Sequence, residues 1–553
     1  MNRGWILAIV FVHLWVATVD GQDGSEAEIA WVFLHDKPAG AGNRLDWQWP
    51  VDSRPDLDMP VDRDYVDQIS AAGITVRVRS RWFNAVSVEA TSQQLRWIQG
   101  RSFVRQLRPV GRWPRLAPPP VEESVGSGKQ GGQDVDPSFQ QLADIGVPAL
   151  HNQGLKGAGI RVAVLDVGFN YREHPAFARL QVVAERDFIN GDNIVSDQTG
   201  QPLTGNETRS SQNLHGSEVL SLLAADVPGR LVGVAPEAEY LLAKTEDLGR
   251  ELPVEEDRWI AGLEWADSLG AHIVSSSLGY NIWDDGSGYS YEQLDGNTAL
   301  TSQAAALAVQ RGLVLVVSAG NEGDNSWRYI TAPADAEGVI AVGAVQRGTD
   351  IIARFSSRGP TSDQRIKPDV VAPGGAVVVA DIRSGAYKTT SGTSFSAPLV
   401  SGVCALLLQV HPSWGPQQVL QALRQTADDL GPAGPDTTFG WGRVNALRAS
   451  GLEIGIPGSD LAGEPFPNPA RAGTGQIHFP LQLAVASQVE VHIFDMGGQL
   501  VARLPSRWLE AGDYSRTGQA LQWHMPENLA NGLYLYRLIV ADVKRMGKIA
   551  VVR

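Results

Sequence analysis

The chain has 553 residues, of which 43% are hydrophobic and 19% are charged, and its net charge at pH 7 is −15. This composition is typical of a globular protein and excludes a largely disordered chain. The acidic balance argues against nucleic acid as a partner, because phosphate binding needs clustered Lys and Arg. At roughly 100–200 residues per domain, the length indicates about three or four domains.

Residues 1–21 have the pattern of an export signal peptide. Arg3 supplies a positive charge, Trp5 to Val19 is apolar, and Gly21 lies in the short polar stretch that follows. The apolar run is shorter than the ~20 residues that a membrane helix needs, so we expect a secreted or cell-surface protein. An uncleaved membrane anchor is the alternative.

The single cysteine, Cys404, cannot form an internal disulfide and is expected to be a buried structural residue.

Residues 22–113 are predicted to form a small α+β domain, because strand-like and helical patterns alternate within them. Strands are expected at 29–35, 74–78 and 85–89, and helices at 64–72 and 91–99. Residues 114–137 are rich in Pro, Gly and Ser and are predicted to be a linker.

Residues 138–455 are predicted to form an α/β domain with a mainly parallel sheet. Apolar runs rich in β-branched residues indicate strands buried on both faces, and helical patterns lie between them. The strands are expected at 160–165, 271–275, 313–317 and 339–345, and the helices at 218–225, 259–269 and 301–310.

Residues 456–553 change character and are predicted to form an all-β, immunoglobulin-like sandwich. Short alternating strands are expected at 488–494, 499–504, 533–540 and 548–552, with turn signals at Gly497-Gly498 and Asn531-Gly532.

The α/β domain offers one candidate for each part that hydrolysis by a serine needs: a nucleophile, a base, a carboxylate and an oxyanion donor. Asp166 stands at the carboxyl end of a predicted buried strand. In α/β sheets, binding and catalytic sites lie at the carboxyl ends of the strands. His215 and Ser394 each lie where a helix begins, and Gly216 leaves room for close packing beside His215. Asn321 follows the strand at 313–317, and its side-chain amide could donate to an oxyanion.

Each of these residues alone has an ordinary structural explanation, such as a turn, a cap or a core position. Their order and flanking residues together are far more specific. His215 and Glu218 could also be interpreted as a zinc pair, although no third ligand is evident in the sequence.

The motifs resemble the subtilisin-like serine peptidases over residues 141–449. The segments that carry the resemblance are QLADIGVPALHNQGLKGAGIRVAVLD, HGSEV, SSSLGY, SAGNEG, APADAEGVIAVGAV, FSSRGP, KPDVVAPGG and GTSFSAPLVSG. The resemblance implies the three-layer subtilisin fold and the chain order Asp, His, Ser, which differs from the chymotrypsin order. A related family with a Glu base and an Asp oxyanion residue does not match His215 and Asn321.

The resemblance also implies a role for each matching residue. Ser394 would attack the scissile carbonyl, His215 would act as the base, Asp166 would orient His215, and Asn321 would bind the oxyanion. The backbone of Ser277, Leu278 and Gly279 would pair with an extended substrate, and Gly320 would line the first specificity pocket.

Two positions depart from the family pattern. Val167 stands where Thr or Ser is usual, and Glu218 stands where His is usual. A carboxylate at 218 could raise the pKa of His215, but we expect a solvated Glu that faces outward. Glu322 could favour basic side chains at the pocket rim or be a solvated turn residue. The small residues Ala319 and Gly320 leave the pocket roomy, so a broad preference for large side chains is the default.

The flanking domains resemble known companions of such peptidases. Residues 29–110 resemble the inhibitor-like prodomain, and the basic stretch 101–115 is expected near the cleft; a permanent N-terminal domain is the alternative. Residues 463–553 resemble the C-terminal sorting domains of type IX secretion, which implies translocation across an outer membrane; a plain binding sandwich is the alternative. Catalysis is expected to need no cofactor. Acidic stretches such as Asp284-Asp285 could bind structural calcium, but the sequence does not assign the ligands.

The sequence therefore predicts a secreted serine endopeptidase that acts on protein or peptide substrates, with its own prodomain as an inhibitor. An inactive binding scaffold is one rival interpretation. A serine esterase is another, although residues 392–396 lack the second Gly of the G-x-S-x-G elbow.

Overall fold

A computed structural model describes three stretches of the chain, with gaps. They are residues 27–38 and 55–111; then 138–151, 153–197, 214–247, 251–284 and 286–452; and finally 465, 467–471, 476–483, 487–510, 512–514, 521–526, 529–540 and 543–552. The signal peptide expected at 1–21 and the linker expected at 114–137 lie outside these residues. The chain divides into two compact units, Met1–Ser450 and Gly451–Arg553.

The N-terminal region is an α+β domain, as predicted. Four antiparallel strands lie in the order β2-β3-β1-β4, and two helices pack on the sheet. The elements are β1 (Ala27–Leu34), α1 (Arg63–Ala71), β2 (Thr75–Ser80), β3 (Ala85–Thr91), α2 (Ser92–Gln99) and β4 (Val104–Gly111). A short 3-10 turn at Pro55–Asp58 precedes α1.

Strand β4 was not predicted from the sequence. It takes up residues 104–111 of the basic stretch 101–115 and pairs with β1 as part of the sheet, while the position of this stretch near the cleft stays a prediction. Residues 112–115 lie outside the described part of the chain.

The α/β region is built on one seven-stranded sheet whose neighbouring strands are all parallel. The strand order is β13-β12-β11-β10-β5-β9-β6. The strands are β5 (Arg161–Asp166), β6 (Gln181–Asp187), β9 (Glu239–Lys244), β10 (Ile273–Ser276), β11 (Val314–Ser318), β12 (Ile340–Gln346) and β13 (Val370–Gly375). Their apolar, β-branched sequences suit strands that are covered on both faces.

Two short antiparallel pairs lie outside this sheet. The first joins β7 (Asp226–Val227) to β8 (Leu231–Val232), and the second is a hairpin of β14 (Val377–Asp381) and β15 (Ala386–Thr390). The hairpin packs on the helix that begins at Leu214, which matters for the site described below.

The described part of the α/β region also contains eight helices. They are α3 (Phe139–Ala143), α4 (Val147–His151), α5 (Leu214–Ala224), α6 (Val254–Ser268), α7 (Leu300–Gln310), α8 (Thr393–Val410), α9 (Pro416–Thr426) and α10 (Ala446–Ala449), with 3-10 turns at Pro175–Phe177 and Tyr291–Gln293. Among the described residues, α8 is the one helix long and apolar enough to cross a membrane, and 89% of it is buried. Cys404 lies on α8 and is buried, as predicted.

The N-terminal domain packs on helix α6, and its aromatic side chains share a core with the central sheet. The Trp31 indole donates to Asp257 at 2.5 Å, and the Ser80 hydroxyl donates to Glu264 at 2.5 Å. Burial raises the pKa of Asp257 to about 6 and that of Glu264 to about 7.

The C-terminal unit is all-β, as predicted. A six-stranded sheet and two strand pairs enclose a core of aliphatic and aromatic residues. The strands are β16 (Ala470–Arg471), β17 (Gln476–Phe479), β18 (Gln482–Leu483), β19 (Ser487–Asp495), β20 (Leu500–Arg503), β21 (Arg507–Leu509), β22 (Gly512–Asp513), β23 (Leu521–His524), β24 (Gly532–Val540) and β25 (Val543–Val552).

Candidate active site

Asp166 is the last residue of β5, near the middle of the parallel sheet, and its side chain is fully buried. Its Oδ1 accepts hydrogen bonds from His215 Nδ1 at 2.7 Å and from the Val167 backbone N–H at 2.8 Å. The carboxylate is therefore held at the carboxyl edge of the sheet and aimed at one imidazole nitrogen.

His215 is the second residue of α5, so the helix places its ring directly over the end of β5. A Cβ on the next residue, Gly216, would lie 2.2 Å from the Gly168 carbonyl oxygen and 3.1 Å from Asp166 Oδ1. Only glycine fits there, because any side chain would push α5 away from the carboxylate. The predicted close packing at Gly216 is confirmed.

The pKa of His215 is raised above its ordinary value. Burial by itself lowers this pKa, but the charge and hydrogen bond of Asp166 outweigh burial, and the charge of Glu218 adds to them. The His215 side chain is still 27% exposed, so one side of the ring meets solvent or substrate.

Ser394 lies in the first turn of α8, where helix N–H groups have no partner within the helix. Its Oγ donates to the Ser277 carbonyl at 3.3 Å, and Ser277 Oγ donates to the Ser394 carbonyl at 2.7 Å. The ring of Phe395 lies 5.6 Å from the ring of His215, measured between centroids. The fold thus brings Asp166, His215 and Ser394 to one edge of the sheet.

Asn321 follows β11 and is tied to the same helix start. Its Oδ1 accepts from the Thr393 backbone N–H at 2.9 Å and from Thr393 Oγ1 at 3.0 Å. Because Oδ1 is engaged, the Nδ2 donor of the amide is directed away from Thr393. Gly320 precedes it with φ +106°, a conformation that favours glycine.

The segment Ser277–Gly279 lies across a small cavity from His215. The cavity has a volume of about 170 Å³, and its other walls come from Val167, Tyr280 and four acidic residues. Tyr280 exchanges backbone hydrogen bonds with Ala332, at 2.7 and 3.1 Å, which fixes the end of this segment.

The acidic walls of the cavity were not predicted from the sequence. Glu255 accepts from two loop N–H groups, of Asp247 and Leu252, both at 2.9 Å, and Glu246 accepts from the Tyr280 hydroxyl at 2.6 Å. Burial raises the pKa of Glu246 to about 8 and that of Glu251 to about 7. The high density of acidic residues in 246–257 could have indicated an acidic site. The sequence does not show, however, which of these side chains face the cavity.

The prediction for Glu218 was wrong. Its side chain faces inward with 4% of the residue exposed, and one of its carboxylate oxygens lies 2.6 Å from Lys388 Nζ. Since His215 contacts Asp166 and Glu218 contacts Lys388, the two residues do not form a zinc pair.

Glu322, by contrast, remains close to solvent. Its carboxylate accepts a hydrogen bond from Asn325 in the same turn, which leaves both sequence-based interpretations of this residue standing.

Within the described part of the chain, no group of three or more His, Cys, Asp or Glu residues could hold a metal ion. Asp284 accepts from the Glu251 backbone N–H at 3.2 Å, and Asp285 is outside the described residues. Structural calcium near this stretch therefore stays a prediction without assigned ligands.

Comparison with known proteins identifies the family of this chain. The Subtilase family profile matches residues 157–442. The chain belongs to the subtilase family. It is a subtilisin-like serine endopeptidase, and a second profile, the Peptidase S8 propeptide domain of Bacteroidota, matches residues 43–116.

Relatives of this subtilase include Subtilisin Savinase from Lederbergia lenta, which is 32% identical over 310 residues, covering 56% of this chain and 97% of the relative. Subtilisin E from Bacillus subtilis is 31% identical over 312 residues, covering 56% of this chain and 70% of the relative. The crystal structure of fervidolysin from Fervidobacterium pennivorans, described as a keratinolytic enzyme related to subtilisin, has a TM-score of 0.53 at 22% identity. That match covers 96% of this subtilase and 77% of fervidolysin, and it supports the fold alone.

Proposed function

We propose that this peptidase cleaves protein substrates through an acyl-enzyme formed on Ser394. The observation that carries the proposal is the 2.7 Å bond from His215 Nδ1 to the buried carboxylate of Asp166, beside the start of the helix that bears Ser394. Because Nδ1 is engaged, Nε2 is the nitrogen available to accept the Ser394 proton. Asp166 fixes this tautomer and stabilises the cation that forms.

Ser394 must turn its hydroxyl from the Ser277 carbonyl toward His215 before the proton moves. The distance of 3.3 Å between Ser394 Oγ and the Ser277 carbonyl oxygen indicates a weak hydrogen bond. Rotation of the Ser394 side chain about its Cα–Cβ bond therefore costs little free energy. Looser contacts of this kind are common in the absence of substrate. Once the hydroxyl is deprotonated, its oxygen attacks the scissile carbonyl and His215 returns the proton to the leaving amine.

The oxyanion that forms would lie at the beginning of α8. The Ser394 backbone N–H and Asn321 Nδ2 are the two proposed donors, and the positive end of the helix dipole supports the same charge. Thr393 holds Asn321 Oδ1, so the amide donor needs no reorganisation when the charge develops.

We propose that an extended substrate pairs with the backbone of Ser277, Leu278 and Gly279, with Gly320 lining the pocket for the first side chain. Gly279 is exposed, and Leu278 is half-buried beside the cavity, so this segment is accessible. A pocket edged by glycine favours a broad preference for large side chains.

The N-terminal domain is proposed to act as an intramolecular inhibitor until it is cleaved. The C-terminal sandwich is proposed to direct export to the medium or the cell surface through type IX secretion. The contacts of the N-terminal domain with α6 support the first proposal, and the export-signal pattern at 1–21 supports an extracellular location.

The test is active-site labelling with a fluorophosphonate, together with casein hydrolysis, for processed wild-type protein and Ser394→Ala. Ser396→Ala is a matched control, because Ser396 lies on the same helix and its hydroxyl donates to the Ala372 carbonyl at 3.2 Å. We expect Ser394→Ala alone to abolish both signals. Labelling that persists in Ser394→Ala, or its absence from processed wild type, would exclude Ser394 as the nucleophile.

A further inference from the structure

Helix α5 bears a carboxylate, that of Glu218, one turn after His215. Glu218 is buried on the side of the helix that meets the β14–β15 hairpin, and Lys388 of β15 is its ion-pair partner at 2.6 Å. Lys388 keeps 28% of its side chain exposed, so its charge is partly hydrated while that of Glu218 is not.

The same hairpin is bound to α5 at a second point, three residues along the helix. Ser221 Oγ accepts from the Ala380 backbone N–H at 3.1 Å. Close to this point, at the turn of the hairpin, His174 contacts the Ala386 carbonyl at 2.9 Å. The ion pair is therefore part of a built interface and is not an isolated surface contact.

We propose that Glu218, held in place by Lys388, is a positioning residue for the reaction: it fixes the first turn of α5 against the hairpin and supplies a second negative charge to the protonated base His215. The proposal rests on the function assigned above to His215.

The charges around His215 support this role. Burial is the largest single effect on the pKa of His215 and lowers it, but the charge and hydrogen bond of Asp166 together outweigh burial, and the charge of Glu218 adds to them. Lys388 and Asp381 face Glu218 from the hairpin, and burial raises the pKa of Glu218 itself while Lys388 lowers it. The remaining acidic groups near the ring line the cavity: Glu246, Asp247, Glu251 and Glu255.

The sign of the effect follows directly. A carboxylate near the ring favours the imidazolium form, so Glu218 moves the protonation midpoint of His215 to higher pH. Since only the neutral ring can accept the Ser394 proton, removing the charge of Glu218 should extend activity toward lower pH.

The experiment compares Glu218→Gln with wild type, using the pH dependence of kcat/KM and an NMR titration of the His215 imidazole. Glu237→Gln is the control, because it removes an exposed carboxylate paired with Lys156 at 3.6 Å, away from the site. We expect the acid midpoint of Glu218→Gln to fall by about half a unit, which is about threefold more relative activity on the acid limb. The acid midpoint of the Glu237→Gln control should match that of wild type. Glu218→Asp keeps the negative charge, so its midpoint should lie close to that of wild type.

An unchanged midpoint in folded Glu218→Gln would overturn the proposal, even if the plateau activity falls, because a merely structural role lowers the plateau and leaves the midpoint in place. If Glu218→Gln does not fold, Glu218→Met carries the same test, since it also removes the carboxylate, keeps a similar side-chain length and adds no group that titrates. The NMR titration does not depend on Ser394, so failure of the proposed nucleophile and failure of this proposal give different results.

Discussion

Replacing Asn321 tests the proposed oxyanion site most directly. Asn321→Ala removes the Nδ2 donor and also the acceptor that holds Thr393 N–H and Oγ1. Loss of one oxyanion donor lowers kcat by about 10²–10³, or about 2.7–4 kcal/mol, with little change in KM because the donor acts mainly on the developing charge. Because Asn321 is exposed, water can replace its hydrogen bonds to Thr393 in the variant. The free energy of unfolding of Asn321→Ala should therefore fall by about 1 kcal/mol.

Steady-state kinetics with a chromogenic peptide gives kcat and KM, and thermal unfolding gives the stability. The side chain of Asn321 has two functions, accepting from Thr393 and donating to the oxyanion, and Asn321→Asp separates them. Asp retains an oxygen that accepts from Thr393 but lacks the Nδ2 donor. Its kcat should therefore fall as much as that of Asn321→Ala. Thr393→Val, which keeps the backbone bond, should lose less than about tenfold. A kcat within threefold of wild type in Asn321→Ala would refute the assignment of Nδ2 as an oxyanion donor.

Three further results are expected. Gly216→Ala should abolish casein hydrolysis in protein that still folds, as checked by circular dichroism, because its Cβ cannot approach the Gly168 carbonyl and Asp166 without separating Asp166 from His215. Activity should fall with acid at a midpoint above the ordinary His value of about 6.5, because the pKa of His215 is raised and only its neutral form is active; a midpoint below 6 in the pH profile would contradict this. Cys404 should resist thiol reagents in native protein, because burial raises its pKa, and Cys404→Ala should retain activity; rapid modification would show that α8 is not packed as described.

The elements that position the site were predictable because their signals are local. Continuous β-branched runs predict buried strands, and Asp166 stands at the end of one of them, where the parallel sheet opens. His215 and Ser394 each precede a long apolar run in the sequence, so their placement at helix starts could also be predicted.

The features that were missed depend on partners far along the chain. Glu218 looks like an ordinary helical Glu, and only the packing of a hairpin that comes after residue 370 supplies Lys388 and excludes water. Strand β4 was missed because its arginines and Pro109 resemble a basic tail, whereas its pairing with β1 gives it a place in the sheet. The cavity acids depend in the same way on residues later in the chain, such as Tyr280, whose hydroxyl donates to Glu246.

The contact between the N-terminal domain and α6 would give an optical signal for the proposed cleavage and release of that domain. Trp31 and Trp82 are almost completely buried, with exposures of 0% and 2%, and they belong to the same core as the central sheet. Departure of a cleaved N-terminal domain would transfer both indoles from this core to water, which shifts tryptophan emission to longer wavelength. Maturation of the enzyme could therefore be timed in a stopped-flow fluorimeter without any label, and compared with the appearance of peptidase activity in the same sample.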